Sequence, residues 1–356
     1  MPKIRVLVVD DAVVMRRLIS TVLETDPELE VAGIAPNGKV ALARIPQVNP
    51  DVITLDVEMP EMDGLETVVE IRKVYPRLPV IMFSTMTRCG AVETVEALAR
   101  GATDYVTKPA NVGSVSEGMD RLKSELIPKI KAYARPPAVP AVKPPAVLSS
   151  SSIVALPGSS AFRCSAIAIG TSTGGPNALH QVIPALPALL QVPVLIVQHM
   201  PPLFTELLAA RLNQDSKIRV HEAYDGLKIE RGHAYIAPGG KHLTVSAENG
   251  HVRARLNEDP PENSCRPAVD VLFRSMAQVY GGGTLGVVLT GMGQDGLRGA
   301  QWIREAGGKL IAQDQGSSVV WGMPGALAEA GLADKIVPLH SISEALLALA
   351  DPRGRR

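Results

Sequence analysis

The stretch AIAIGTSTGGPNAL, residues 166–179, passes from an apolar strand through Gly170, Gly174 and Gly175 into a helix. Two chemistries use such a turn. A dinucleotide-binding loop needs G-x-G-x-x-G and an acid about 20 residues on, at the end of the next strand. Here the glycines are spaced G-x-x-x-G-G, the next strand ends VQHM, and no acid lies between Ser172 and Thr205. The nucleotide reading is therefore weak. Gly170-Thr171-Ser172-Thr173-Gly174 instead fits G-x-S-x-G, where small neighbours permit a sharp strand-to-helix turn that exposes the serine. Helix N-termini are also rich in Ser and Gly for capping, so nucleophile and cap stand level at this point.

Downstream of this turn, apolar runs alternate with amphipathic ones. PVLIVQHM, HAYIAPGG, LTVSA, TLGVVLTGMG, KLIAQD and KIVPL read as strands. LFTELLAARLNQ, PAVDVLFRSMAQVY, LRGAQWIREAG and MPGALAEAG read as helices. Such alternation makes a parallel sheet covered on both faces. HAYIAPGGKHLTVSAENGHVRARL interrupts the pattern with paired short strands that read as a hairpin. Upstream, residues 134–161 are rich in Pro, Ala and Ser, and repeated Pro favours an extended tether. Before the tether, IRVLVV, LEVAGIA, DVITLD, PVIMFS and DYVTK alternate with five helical segments. The expected fold class is therefore α/β: two doubly wound parallel-sheet domains, over residues 1–125 and 163–350. Residues 126–162 hold a helix end and the Pro/Ser-rich linker.

Composition agrees. The chain has 356 residues, 46% hydrophobic and 20% charged, enough for two cores. Zero formal net charge and 3% aromatic residues argue against nucleic-acid binding. Cys89, Cys164 and Cys265 are odd in number and widely spaced, so neither a disulfide framework nor a zinc site is indicated. Asp10 and Asp11 break any signal-peptide core near the N-terminus. No apolar run of ~18 residues suggests a membrane span, so a cytoplasmic location is expected.

In a doubly wound domain the site lies at the carboxyl ends of the strands. Asp10 and Asp11 end the first strand, Asp56 the third, Ser84 the fourth and Lys108 the fifth. Clustered carboxylates repel unless a hard cation neutralises them, and Mg²⁺ is the usual choice beside phosphate. An ammonium and a hydroxyl facing a carboxylate suit an incoming phosphoryl group, and Asp56 is best placed to become an acyl phosphate. On these residues the first domain resembles a two-component receiver. The resemblance implies metal ligation by Asp10, Asp11 and Asp56, phosphorylation at Asp56, a switch hydroxyl at Ser84 and a phosphate-binding Lys108. Tyr105 stands at the family's switch-aromatic position, although plain packing would equally explain it.

In the second domain, His199 ends the strand that follows the Ser172 unit directly, so the two are expected side by side. A serine needs a base, and the imidazole needs a carboxylate to orient it. Asp295 ends another apolar strand within the glycine-rich turn LTGMGQDG. With SCRPAVDVLF and VWGMPGAL, these motifs resemble the CheB family of chemotaxis receptor methylesterases over nearly the whole chain.

That resemblance implies a Ser172–His199–Asp295 triad and oxyanion donation by the backbone amides of His199 and Met292. It implies hydrolysis of glutamate γ-methyl esters on chemoreceptors, with deamidation of receptor glutamines. A histidine kinase of the chemosensory array would donate the phosphoryl group, and the unphosphorylated receiver would cover the active site. No cofactor beyond Mg²⁺, no nucleic acid, membrane contact only through receptors and a monomeric state complete the expectation. Two rivals stand beside it: a DNA-binding response regulator, opposed by the balanced charge and the absence of a short helix-turn-helix after the linker, and a non-catalytic scaffold, opposed by the intact Ser, His and Asp.

Overall fold

A computed structural model describes residues 2–109, 115–134 and 162–350. The first domain contains strands β1 (Ile4–Val9), β2 (Leu29–Ala35), β3 (Val52–Asp56), β4 (Val80–Ser84) and β5 (Asp104–Thr107). They alternate with helices α1 (Val13–Glu24), α2 (Gly38–Val48), α3 (Gly64–Val74), α4 (Arg88–Ala99) and α5 (Val115–Ala134). The sheet order is β2-β1-β3-β4-β5, all parallel. Every residue of β3, β4 and β5 is buried, as a parallel sheet with helices on both faces requires. Helix starts follow local chemistry. Asn37 accepts from the Val40 amide at 3.0 Å and Asp63 from the Glu66 amide at 2.7 Å, and each cap satisfies a free donor of the first turn.

The second domain contains strands β6 (Ala166–Thr171), β7 (Val194–Gln198), β8 (Arg219–Glu222), β9 (His233–Ile236), β10 (His242–Glu248), β11 (His251–Asn257), β12 (Thr284–Val288), β13 (Lys309–Gln313) and β14 (Lys335–Val337). Its helices are α6 (Gly175–Val182), α7 (Phe204–Asp215), α8 (Val269–Tyr280), α9 (Leu297–Glu305), α10 (Met323–Glu329) and α11 (Leu339–Ala350). Seven parallel strands are ordered β14-β13-β12-β6-β7-β9-β8. The chain enters at β6, builds outward to β8, then returns to β12 on the other side of β6. The strand order thus reverses beside β6, which is where open α/β sheets place their sites.

The expected hairpin is β10 with β11, antiparallel from His242↔Asn257 to Glu248↔His251. HAYI is not part of it: β9 joins the main sheet. Strand β8 and helix α11 had no counterpart in the sequence reading. Of the expected linker, residues 126–134 continue α5, and 135–161 lie outside the described residues.

The two domains touch. Tyr105 of β5 is 5% exposed and stacks on Phe204 of α7, with ring centroids 4.9 Å apart and planes 11° apart. Arg88 of α4 pairs with Glu206 at 3.2 Å, and Arg211 of α7 pairs with Glu96 at 2.9 Å. The Asn177 amide on α6 donates to the carbonyls of Ala102 and Thr103 at 3.1 and 3.2 Å.

Candidate active site

The first site lies where β1 and β3 end. Carboxylate oxygens of Asp10, Asp11 and Asp56 lie within 4.8 Å of one another. The Lys108 ammonium stands 2.7 Å from Asp56 and 3.0 Å from Asp10. Burial pushes the Asp56 carboxyl up to about 6; Lys108 works against this and the neighbouring Asp10 adds to it. One ammonium is thus shared by two buried carboxylates. Asp10 Oδ2 is buried and makes no well-formed hydrogen bond among the described residues, despite its ion pair. That surplus of negative charge and unsatisfied oxygen fits a hard divalent cation.

A cavity of about 170 Å³ opens beside this cluster, lined by Asp11, Asp56, Glu58, Thr85 and Lys108. Ser84 is close by, but its hydroxyl donates to the Gly90 carbonyl of α4 at 2.8 Å. To meet a phosphoryl group on Asp56, it must turn away from α4.

The second site sits on adjacent strand ends. In the β6–β7 ladder Thr171 is partnered with Gln198, so Ser172 and His199 leave their strands side by side, one strand spacing (~4.8 Å) apart. The turn after Ser172 is tightly specified. The Ser172 amide donates to the Thr290 carbonyl at 3.1 Å, and the Thr290 hydroxyl donates to the Thr173 carbonyl at 3.0 Å. Gly174 caps α6 with φ 76°, and a Cβ on Gly175 would fall on the Gln198 side chain. The glycines therefore serve a sharp turn that leaves Ser172 at the edge of a cavity.

His199 Nε2 lies 2.8 Å from Asp295 Oδ2, and its Nδ1 faces the Cys265 thiol at 3.5 Å. Burial disfavours the imidazolium. The hydrogen bond to Asp295, the Cys265 thiol and the Asp295 charge outweigh burial and hold His199 up to about 9. Asp295 is 2% exposed. Burial works to raise its carboxyl, but the bond to His199 and donation from the Val269 and Asp270 amides hold it below the ordinary value. Its charge is thus secured by donors at the start of α8 and by the imidazole.

The amides expected as oxyanion donors differ. The His199 amide donates to the Thr171 carbonyl at 3.2 Å. The parallel ladder runs one residue beyond β7 and occupies that N–H. Met292 is 40% exposed, borders the same cavity, and its amide has no hydrogen-bond partner among the described residues.

That cavity, of about 560 Å³, is walled by both domains. Ser172, His199, Asn263, Cys265 and Met292 form one side; Asp104, Tyr105, Glu125 and Lys129 of the first domain form the other. Tyr105 therefore does more than pack its own strand. Cys265, whose Sγ lies 3.5 Å from His199 Nδ1, and Asn263, which donates to Asp295 at 2.8 Å, were not singled out from sequence. Both reach the site on the loop between β11 and α8; Cys265 lies within the motif SCRPAVDVLF and Asn263 immediately before it.

Comparison with known proteins places these sites in context. Residues 167–346 match the family model "CheB methylesterase", and residues 6–118 match "Response regulator receiver domain". A protein-glutamate methylesterase/protein-glutamine glutaminase of Trichodesmium erythraeum is 52% identical over 98% of this chain and 99% of its own. One from Pyrococcus abyssi is 44% identical over 97% of this chain and 93% of its own. The crystal structure of the Thermotoga maritima CheB methylesterase catalytic domain is 44% identical. It covers 53% of this chain and 100% of that chain, with a TM-score of 0.52.

Proposed function

Because the chain belongs to the CheB methylesterase family and carries a response regulator receiver ahead of its catalytic domain, we propose that it is a phosphorylation-gated serine esterase. Its substrates are glutamate γ-methyl esters on chemoreceptors, and it also deamidates receptor glutamines. The observation that carries this reading is the His199–Asp295 bond beside Ser172, at a cavity whose far wall is the receiver.

Ser172 Oγ attacks the ester carbonyl, and its proton passes to His199 Nδ1, which must first release the Cys265 thiol. Asp295 fixes the imidazole through Nε2 and stabilises its charge. The tetrahedral oxyanion is met by the Met292 amide. The His199 amide can join only by releasing the Thr171 carbonyl. Methanol leaves with the proton from Nδ1. Water then attacks the acyl-enzyme, with Nδ1 taking its proton, and the free glutamate is released. For a glutamine side chain, ammonia is the first leaving group.

On the receiver, the Asp56 carboxylate attacks the phosphorus of a donor, such as a phosphorylated histidine kinase, and Lys108 holds the transferred oxygens. Asp10, Asp11 and Asp56 would hold Mg²⁺, which screens the charge of the incoming phosphoryl group. Residues 1–125 form the regulatory domain and 163–350 the esterase, joined by 126–162. Unphosphorylated, the receiver keeps the cavity walled. Phosphorylation turns Ser84 off the Gly90 carbonyl, shifts α4 and β5, and weakens the Tyr105–Phe204 contact. Among the described residues no helix is long and apolar enough to cross a membrane. This suits a cytoplasmic monomer that reaches the membrane through its receptors.

Methanol release from a methylated receptor fragment, with and without a small phosphodonor, tests this. Release that requires Ser172 and accelerates with phosphodonor is expected; release indifferent to Ser172→Ala would overturn it.

A further inference from the structure

One short turn touches both ends of the His199–Asp295 pair. Glu262 and Cys265 exchange backbone hydrogen bonds at 3.1 and 2.9 Å, closing a two-residue hairpin turn. The residues between them, Asn263 and Ser264, have φ of 53° and 62°, the left-handed backbone that mirror-image hairpin turns require. The turn is clamped to α8, because Arg274 grips both oxygens of Glu262 at 2.8 Å. From this clamped turn, the Asn263 amide donates to Asp295 Oδ1 and to Asp270 Oδ2, each at 2.8 Å.

Asp270 is 1% exposed and is anchored at its other oxygen by the Gly299 amide at 2.6 Å. Two buried carboxylates so close repel, and one amide that donates a proton to each is the chemistry that lets them coexist. Asp295 Oδ1 also accepts from the Asp270 and Gly296 amides, at 3.0 and 2.9 Å. Those two donors share one short stretch of backbone each with Asp270 or Asp295 itself. The Val269 amide donates to Asp295 Oδ2 at 2.7 Å, so α8 holds the carboxylate by backbone, and Asn263 adds a side-chain donor from the clamped turn that precedes α8.

We infer that Asn263 is a positioning residue for the esterase: its side-chain amide, held by the Glu262–Cys265 turn and counter-anchored by Asp270, fixes the Asp295 carboxylate that orients His199. The inference rests on the proposed triad. It makes no use of Asn263 as a group that touches substrate. The donor side chain matters, not merely a residue that tolerates positive φ.

Two substitutions in the full chain separate these roles. Asn263→Gly keeps the left-handed turn, which glycine adopts freely, and removes the amide. Asn263→Asp keeps both the shape and the turn but places an acceptor where a donor is needed. Methanol release is measured on the phosphodonor-treated chain across pH, alongside thermal unfolding. A misplaced orienting group costs on the order of 10- to 100-fold in kcat with KM unchanged, and that is expected for Asn263→Gly. Asn263→Asp should lose at least as much.

The acid limb of kcat should also move to higher pH in Asn263→Gly, because Asp295 no longer shares its charge with the amide. The charged and titratable groups facing His199 are Asp295 and Cys265. Asp270 and the Glu262–Arg274 pair lie behind them, and Asp104, Glu125 and Lys129 across the cavity. Only Asp295 and Asp270 lose a partner in this variant. Wild-type kcat in both variants would overturn the inference. So would a fall in kcat that tracks lost thermal stability with an unmoved acid limb, since that describes a purely structural turn. Ser172→Ala is run in parallel: if it stayed active, the triad would be wrong, whereas an inactive Ser172→Ala beside a normal Asn263→Gly would sink this inference alone.

Discussion

Replacing Asn177 with alanine should raise the activity of the unphosphorylated chain without touching the catalytic groups. Asn177 sits on an exposed turn of α6, and its amide bridges to the Ala102 and Thr103 carbonyls of the receiver. Alanine is the better helix former, so α6 does not suffer. The two carbonyls can turn to water once the domains part, so no buried acceptor is stranded in the open state. A hydrogen-bonded group of this kind contributes about 0.5–1.5 kcal/mol net. A loss of about 1 kcal/mol multiplies the open-to-closed ratio roughly fivefold.

In the proposed account the resting chain is mostly closed, and its rate follows the open fraction. The ion pairs Arg88–Glu206 and Arg211–Glu96 are weaker levers, because their side chains are 70%/47% and 31%/30% exposed and such pairs give about 0–1 kcal/mol. The assay is the initial rate of methanol release by the full chain and by a fragment starting at Phe162, each with and without the substitution. The full chain should gain severalfold and the fragment should not change. An unchanged full chain would refute the reasoning. An equal gain in the fragment would show that the residue acts on the Ser172 turn rather than on closure.

Other outcomes follow from the same geometry. Catalysis needs neutral His199, and Asp295 and Cys265 hold it up to about 9; the rate should therefore fall as pH drops through a pKa above the ordinary ~6.5, and a flat kcat/KM profile from about pH 6 to 9 would exclude His199 as the base. Ser172→Ala and His199→Ala should each cost several orders of magnitude in methanol release while the chain stays folded. Phosphate incorporation from a small phosphodonor should need Mg²⁺, vanish in Asp56→Asn and weaken in Asp11→Asn. Closure should loosen modestly with salt as the two cross-domain ion pairs are screened, read as a rise in resting activity in the full chain but not in the fragment.

Much of this was legible in sequence because strand ends are local features. An apolar run that stops at VVDD, TLD or VQHM places its last residue at a sheet edge, and parallel βα units send those ends to one side. Ser172 and His199 fall together because their units are consecutive and the strands pair directly. Asp295 joins them because the chain crosses back to the other side of β6, a topology the sequence did not display. Long-range placement was lost in three places. The Glu262–Cys265 turn reaches the site only through its clamp on α8, so Asn263 and Cys265 carried no periodic signal. The Tyr105–Phe204 stack joins two domains, and no single-strand pattern can announce it. The His199 amide depends on one extra rung of a ladder, below the resolution of any pattern of residues. Strand β8, with RVHE at a sheet edge and only one fully buried residue, lacks the apolar run that marked its neighbours.

The most direct measurement is covalent labelling by a serine-directed phosphonate, with the adduct located by peptide mass. Labelling at Ser172 is predicted, faster when phosphodonor and Mg²⁺ are present and abolished in His199→Ala. An adduct on another residue, or labelling of Ser172 at one rate regardless of phosphodonor and of His199, would contradict a triad gated by the receiver.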